Sequence, residues 1–90
     1  NEDKIKASLL SLSDKVSFRL RNEGLKGKTI TVKIRLEDFS TFNRSITISF
    51  ATNYADIIYG HIMKLYNSSK KGNKKIRLLG IKISNSGQFD

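Results

Sequence analysis

The sequence predicts an α+β fold, a two-layer domain with two helices on one face of an antiparallel sheet. Residues 4–22 and 54–67 show the three-to-four-residue apolar spacing of amphipathic helices. Residues 29–36, 44–50 and 76–83 are shorter segments in which apolar and polar side chains alternate, as in half-buried strands. The elements follow one another in the order α-β-β-α-β, and the two adjacent strands are close enough in sequence to form a hairpin.

The first helix is predicted from an apolar stripe and a stop signal. The stripe consists of Ile5, Leu9, Leu12, Val16 and Leu20. Gly24 follows soon after, with Arg21 just before it, as is typical where a helix ends. The side of the helix opposite the stripe is basic and includes Lys6 and Lys15.

The two strands of the predicted hairpin each separate apolar from polar side chains. In the first strand, Ile30, Val32, Ile34 and Leu36 alternate with Thr29, Thr31, Lys33 and Arg35. In the second strand, Ile46, Ile48 and Phe50 alternate with Ser45, Thr47 and Ser49. One face of the hairpin should therefore pack on the helices, while the outer face presents hydroxyl groups and cations.

Asn53 is the expected N-cap of the second helix, and Asp56 lies close to the positive end of the helix dipole. The apolar stripe of this helix consists of Tyr54, Ile58, Ile62 and Leu65. Gly60 lies inside the helix, where glycine costs about 1 kcal/mol relative to alanine. We expect close packing against the sheet to explain this glycine.

The last strand changes phase along its length. Its apolar residues occupy even positions at Ile76 and Leu78 and odd positions at Leu79, Ile81 and Ile83. One extra residue near Leu79 and Gly80 would restore a common apolar face, which is what a β-bulge does. The bulge would also bring Arg77 and Lys82 onto the same outer face.

The charge of the chain indicates an anionic partner. The chain carries 17 Lys and Arg residues against 8 Asp and Glu residues, a formal net charge of +9. Such an excess favours a nucleic acid, an anionic lipid or an acidic protein, and an inert basic surface is the alternative. The basic loop of Lys70, Lys71, Lys74 and Lys75 is either a second phosphate contact or a solubilising loop.

The chain has no cysteine, which excludes disulfides and thiolate metal sites and fits an intracellular protein. It has neither an apolar run near the ~20 residues of a membrane span nor a signal peptide. Because the sequence begins with Asn1 and not with methionine, we expect residues 1–90 to be a single domain taken from a longer protein. We expect that protein to be cytoplasmic and to have no membrane partner.

The outer face of the predicted sheet is the candidate binding site. The residues expected to contact phosphates are Thr31, Lys33, Arg35, Ser45, Thr47, Arg77 and Lys82. Cations, hydroxyls and backbone amides hold phosphates and give salt-dependent, sequence-tolerant affinity. An ordinary solvated face is the alternative, but such faces mix both charges, whereas this one has cations and no acid.

Two other functional classes have less support. An RNA-recognition sheet needs exposed aromatic residues on its central strands, whereas Phe39 and Phe42 lie between the strands and are expected to be core plugs. For catalysis, His61 is the only histidine, and Glu37 and Asp38 are the only adjacent acids that follow a strand. No segment forms a carboxylate cluster for Mg²⁺, a nucleophile with its base, or a P-loop.

Two segments of the chain resemble a known family. LSDKVSFRLRNEGLKGKTITVKIR (residues 12–35) and KKIRLLGIKIS (residues 74–84) are similar to the little finger domain of Y-family translesion DNA polymerases of the DNA polymerase IV type. The resemblance implies a β-α-β-β-α-β fold with helices on one face of the sheet and DNA on the other. It also implies that the outer-face residues contact primer and template backbones without reading sequence.

The resemblance implies further properties of a parent enzyme. Such enzymes copy damaged DNA in bacteria, and their Mg²⁺ ions are held by a palm domain, so this fragment by itself is expected to be non-catalytic. Relatives often end in a sliding-clamp-binding peptide resembling Gln-Leu-Ser/Asp-Leu-Phe. Gln88, Phe89 and Asp90 would be the truncated beginning of this motif, and a plain tail is the alternative.

The family's domain opens with a strand that lies beside the last strand at the sheet edge, and this chain is expected to start after it. We therefore expect three strands in the order 76–83, 29–36 and 44–50. Two functional alternatives to the polymerase domain remain open. One is a stand-alone basic nucleic-acid-binding or ribosome-associated module, and the other is a small-molecule enzyme of ferredoxin-like shape.

Overall fold

The computed structural model describes residues 2–69 and 71–84 of the chain. Two helices and three strands follow one another as α1 (Glu2–Asn22), β1 (Gly27–Leu36), β2 (Thr41–Thr52), α2 (Ala55–Ser68) and β3 (Ile76–Ser84). This order confirms the predicted α-β-β-α-β arrangement of an α+β domain.

The strands form one antiparallel sheet in the order β2-β1-β3, so β1 is central and β3 lies at an edge. The described residues supply three strands, in the order that the sequence predicts. The N-terminal residues from Glu2 onward belong to α1 and not to a fourth strand.

The hydrophobic core lies between one face of the sheet and the two helices. Side chains at even positions of β1 point into it, and Ile30, Val32 and Ile34 are completely buried. Leu9 of α1 and Ile58 of α2 are equally buried opposite them. Burial of each such side chain stabilises the fold by about 1.5–3 kcal/mol, so this layer holds the sheet and the helices together.

The buried face of α1 contains two serines that the apolar stripe did not predict. Ser13 and Ser17 are completely buried, whereas Leu12 and Val16 are half-buried beside them. The Ser13 hydroxyl donates to the Leu9 carbonyl oxygen at 2.8 Å, and Ser17 donates in the same way within the helix. Because these bonds satisfy the hydroxyls locally, the small side chains can be buried at little cost.

The start of α2 differs from the prediction. The helix begins at Ala55, and Asn53 is not its N-cap. Instead, the Asn53 amide nitrogen donates to the Leu25 carbonyl oxygen at 3.0 Å, and the Asn53 carbonyl oxygen accepts from the Arg21 guanidinium at 2.8 Å. Asn53 therefore joins the end of α1 and the turn after it to the start of α2.

The buried stripe of α2 consists of Ile58, Ile62 and Tyr66, whereas Tyr54 is exposed and Leu65 is only half-buried. The Tyr66 hydroxyl lies 3.5 Å from a carboxylate oxygen of Glu2. Burial, together with this nearby negative charge, raises the pKa of Tyr66 above its usual value.

The bulge in β3 lies earlier than predicted. Leu36 pairs with Ile76 but Arg35 pairs with Leu78, so the extra residue is Arg77 and not a residue near Gly80. The shift places Leu78 on the side of the sheet away from the helices, where it is half exposed. The predicted common apolar face is therefore correct for Ile76, Leu79, Ile81 and Ile83, which pack against the core, and wrong for Leu78.

The register of β2 also shifts near its end. Thr29 pairs with Thr47, but Gly27 pairs with Thr52, so β2 carries additional residues between these two pairs. Simple alternation therefore fails in this segment, and Phe50, predicted to lie on the apolar face, is 85% exposed.

Gly27 of β1 and Gly60 of α2 differ in how closely other parts of the chain approach them. A Cβ atom at Gly27 would collide with the Ile83 side chain and lie 2.9 Å from the Ser84 carbonyl oxygen. Gly27 is therefore required for the close approach of β1 and β3. By contrast, no atom outside its own turn of helix lies within 4 Å of a Cβ built at Gly60, so the expectation that Gly60 packs closely against the sheet is wrong.

We predict that Gly27→Ala lowers the free energy of unfolding by about 1–3 kcal/mol, as overpacking does. Gly60→Ala serves as the matched substitution and should raise it by about 1 kcal/mol, because alanine is the better helix former. Urea unfolding followed by circular dichroism measures both changes. A Gly27→Ala variant as stable as the parent chain would show that the strands can separate to accept a methyl group.

Candidate nucleic-acid interface

The side of the sheet opposite the helices is here called the open face. Its residues follow from the strand pairing, because directly opposed residues of neighbouring strands point to the same side. Three groups contribute: Thr29, Thr31, Lys33 and Arg35 of β1, Thr41, Asn43, Ser45 and Thr47 of β2, and Leu78, Gly80, Lys82 and Ser84 of β3. None of these residues is acidic, and three are cations.

Hydroxyl groups bridge β1 and β2 across the open face. The Thr31 and Ser45 hydroxyl oxygens are 2.8 Å apart, and those of Thr29 and Thr47 are 3.0 Å apart. A hydroxyl pair uses one of its two hydrogens for the mutual bond. The second hydrogen of the Thr31–Ser45 pair can therefore be donated to an oxygen of a ligand.

Lys33 and Lys82 place two exposed ammonium groups on neighbouring strands. Lys33 lies between Asn43 of β2 and Gly80 of β3, and Lys82 lies beside Thr31. Because Gly80 has no side chain, the β3 side of Lys33 stays uncovered. These residues line a shallow depression of about 510 Å³ in the open face.

Arg35 is held in place at the end of the open face. Its Nε atom donates to the Thr41 hydroxyl oxygen at 2.9 Å, and Thr41 is its direct partner on β2. The bond fixes the orientation of the guanidinium plane. A planar, oriented guanidinium can bind phosphate oxygens through two parallel hydrogen bonds.

Six of the seven predicted contact residues share the open face, and the seventh lies at its end. The six are Thr31, Lys33, Arg35, Ser45, Thr47 and Lys82. Arg77 is the bulge residue, and its guanidinium carbon lies 4.3 Å from the centre of the Phe39 ring. Arg77 therefore lies where the β1–β2 turn meets β3.

The prediction that both loop phenylalanines are core plugs is wrong for Phe39 and correct for Phe42. Phe39 is 61% exposed, whereas Phe42 is half-buried and packs against the core. Sequence reasoning also missed Thr41 and Asn43 of the open face. The sequence pattern could have identified both residues, because polar residues continue at odd positions from Ser45 back to the turn.

The turn between β1 and β2 is tied to the basic loop before β3. The Asp38 carboxylate accepts from the Lys74 ammonium at 2.7 Å and from the Ser40 amide and hydroxyl at 3.0 and 2.6 Å. These bonds, that from Lys74 foremost, hold the pKa of Asp38 well below its usual range, and Asp38 in turn raises the pKa of Lys74. A backbone hydrogen bond also connects the turn to the basic loop, because the Glu37 amide donates to the Lys75 carbonyl oxygen at 2.8 Å.

Two lysines of the basic loop are engaged within the chain. Lys74 faces Asp38, and the Lys71 ammonium donates to the carbonyl oxygens of Tyr66 and Ser69 while lying 3.9 Å from the Tyr66 ring centre. Through these contacts, Lys71 and Lys74 have a structural role. Lys70 lies outside the described residues, as do Gln88, Phe89 and Asp90 of the expected clamp motif.

Across residues 2–69 and 71–84, no group of three or more His, Cys, Asp or Glu residues is placed to hold a metal ion. Neither α1 nor α2 combines the length and the apolar character that a membrane-spanning helix needs.

The chain is similar to known bacterial proteins over most of its length. It is 37% identical over 76 residues to a protein of Desulfatibacillum aliphaticivorans, 33% over 84 residues to one of Streptococcus suis and 40% over 86 residues to one of Clostridioides difficile. These matches cover 84%, 93% and 94% of this chain, and each relative is named DNA polymerase IV. The chain spans only 19%, 24% and 23% of the length of these relatives.

The sequence profile of the impB/mucB/samB family C-terminal domain matches residues 1–88, nearly the whole chain. This match agrees with the α+β architecture and with the resemblance to little finger domains of the DNA polymerase IV type. The chain therefore belongs to the impB/mucB/samB family of C-terminal domains.

Proposed function

We propose that this domain is part of a translesion DNA polymerase and binds the backbone of primer–template DNA without preference for sequence. The observation that carries the proposal is the composition of the open face, where cations and hydroxyl groups lie together and acids are absent. Such groups bind phosphate oxygens, which every DNA sequence presents alike.

The geometry favours backbone contacts over base reading. The strand positions of the open face carry no aromatic side chain, so bases have no stacking platform along the sheet. Its ammonium groups stand on adjacent strands, which are about 4.8 Å apart. A phosphate backbone passing over Lys33 and Lys82 would therefore meet both charges while the Thr31–Ser45 hydroxyl pair donates to a neighbouring oxygen.

We infer that the longer protein is a DNA-directed DNA polymerase that acts in the bacterial cytoplasm. The relatives that carry this name are about four times as long as this chain, which leaves room for catalytic domains. Mg²⁺-binding carboxylates would lie in those domains, since the described residues offer no cluster for them. The part played by this domain is to hold DNA in position for damage bypass.

We predict that the chain binds unrelated duplex sequences with similar affinity and that log affinity falls linearly with log salt. Lys33→Ala combined with Lys82→Ala should reduce the slope by about 1.8, because each phosphate contact contributes about 0.9. Fluorescence anisotropy at several salt concentrations measures the slope.

The matched control removes two cations from α1, Lys6→Ala with Lys15→Ala, and should change the slope much less. Equal losses from both pairs would show that only the net charge matters. A flat salt response, or a strong preference for one sequence, would contradict backbone binding altogether.

We predict that the 90-residue chain incorporates no nucleotide into a primer at any Mg²⁺ concentration, because its described residues lack a carboxylate site. A primer-extension assay tests this, with a complete bacterial DNA polymerase IV as the positive control. Extension by the purified chain would refute the assignment of catalysis to other domains.

We also propose that Gln88, Phe89 and Asp90 begin a sliding-clamp-binding peptide in the longer protein. Gln88→Ala should then weaken binding of that protein to the clamp at least about tenfold, as loss of a buried, hydrogen-bonded anchor does. Asn85→Ala, which removes another amide from the same tail, is the control. If both variants bind the clamp as the parent protein does, the tail is not a clamp motif.

A further inference from the structure

Phe39 has an unusual backbone conformation, and burial in the core does not explain it because the side chain is exposed. It lies in the turn between β1 and β2, it is 61% exposed, and its φ angle is +68°. Bulky residues rarely adopt positive φ angles, because the side chain crowds the backbone. Strained residues of this kind persist where the surroundings hold them, and they concentrate at binding sites.

The surroundings of Phe39 hold it on both sides. Its amide donates to the Leu36 carbonyl oxygen at 2.9 Å, and its carbonyl oxygen accepts from the Thr41 hydroxyl at 3.5 Å. The preceding residue, Asp38, is fixed by the bonds from Ser40 and Lys74. The main chain of Phe39 is therefore fixed before any ligand arrives, which lowers the entropy lost on binding.

Arg77 covers one side of the Phe39 ring. Its guanidinium lies 4.3 Å from the ring centre, and as the bulge residue it has no direct partner in the register of β1. Bulges commonly re-aim a side chain at a functional site. Because the guanidinium covers one face, the exposure of Phe39 comes from the opposite face and the edge of the ring.

The Phe39–Arg77 pair is continuous with the open face. The Thr41 hydroxyl accepts from Arg35 Nε and donates to the Phe39 carbonyl oxygen, so it connects the open-face cation to the strained residue. Leu78, next to Arg77 in sequence, is 51% exposed on the open face opposite Arg35. A nucleic-acid strand held by phosphates on the open face would therefore reach the ring at the end of the sheet.

We propose that Phe39, backed by Arg77, stacks one unpaired nucleobase at the end of the open face. Unpaired bases stack on aromatic rings and guanidinium planes, whereas bases inside a duplex have both faces occupied by their neighbours. The ligand is thus DNA with a junction between duplex and single strand. This inference rests on the proposed function, because the backbone must lie on the open face to deliver the base.

The experiment compares three DNA ligands that share one duplex: a blunt end, a single-stranded overhang of about five nucleotides, and the same overhang made abasic. The two overhangs carry the same phosphates and differ only in bases. The parent chain should bind the base-containing overhang at least about fivefold tighter than the abasic one, which is the low end of base–aromatic stacking.

Phe39→Leu should abolish this difference and leave blunt-duplex affinity unchanged, because it removes the ring and keeps an apolar side chain. Phe39→Trp should preserve the difference. Phe18→Leu is the matched control, because Phe18 has the same 61% exposure but lies on α1.

Three results would overturn the inference: equal affinity of the parent chain for both overhangs, an unchanged difference in Phe39→Leu, or an equal loss on all three ligands. If blunt-duplex binding still depends on salt and on Lys33 and Lys82, backbone binding stands while base stacking fails. If no ligand binds in a salt-dependent manner, the proposed function itself fails.

Discussion

The central position of β1 constrains the rest of the structure, because this strand is hydrogen-bonded on both edges and has a different environment on each face. Its even positions, Ile30 to Leu36, fill the core beneath the helices, and its odd positions form the middle of the open face. A one-residue slip of β1 would exchange the two sets, burying Lys33 and Arg35 and exposing the core. The cost of burying unpaired charges thus enforces the register that also assembles the candidate interface.

Two local features, the bulge in β3 and the glycine at position 27, allow the neighbouring strands to stay paired with β1. The bulge at Arg77 restores the alternation of β3, and Gly27 lets the strands approach where a side chain would collide. The bulge also contributes to the candidate interface, and so does Gly80 of β3. The bulge sends Arg77 to the Phe39 ring, and Gly80 leaves Lys33 uncovered. The bulge thus contributes to the packing of the sheet and to the shape of the candidate interface.

Two groups of basic residues in this domain have different surroundings. Arg21, Lys71 and Lys74 are engaged by carbonyl oxygens or by Asp38 and connect the helices and loops to one another. Lys33 and Lys82 extend from the sheet into solvent, where an anionic ligand would replace water. This division favours a DNA-binding sheet over a merely basic surface. The relatives named DNA polymerase IV, of which this chain spans 19–24%, support the proposal of a domain within a longer polymerase over an independent module.

The sequence by itself determined the element order, the two faces of β1 and the family, because these depend on periodicities and motifs that are local in the chain. It also placed six of the seven predicted contact residues on the open face, since alternation in one strand transfers directly to its partner. Tertiary structure alone decided the position of the bulge, the register shift that exposes Phe50 and the location of Phe39 beside Arg77. These features depend on how strands far apart in sequence fit against each other. Asn53 and Gly60 show the same limit. Asn53 was predicted to be an N-cap but bonds to Leu25, which is distant in sequence. Gly60 was predicted to pack against the sheet but faces open space.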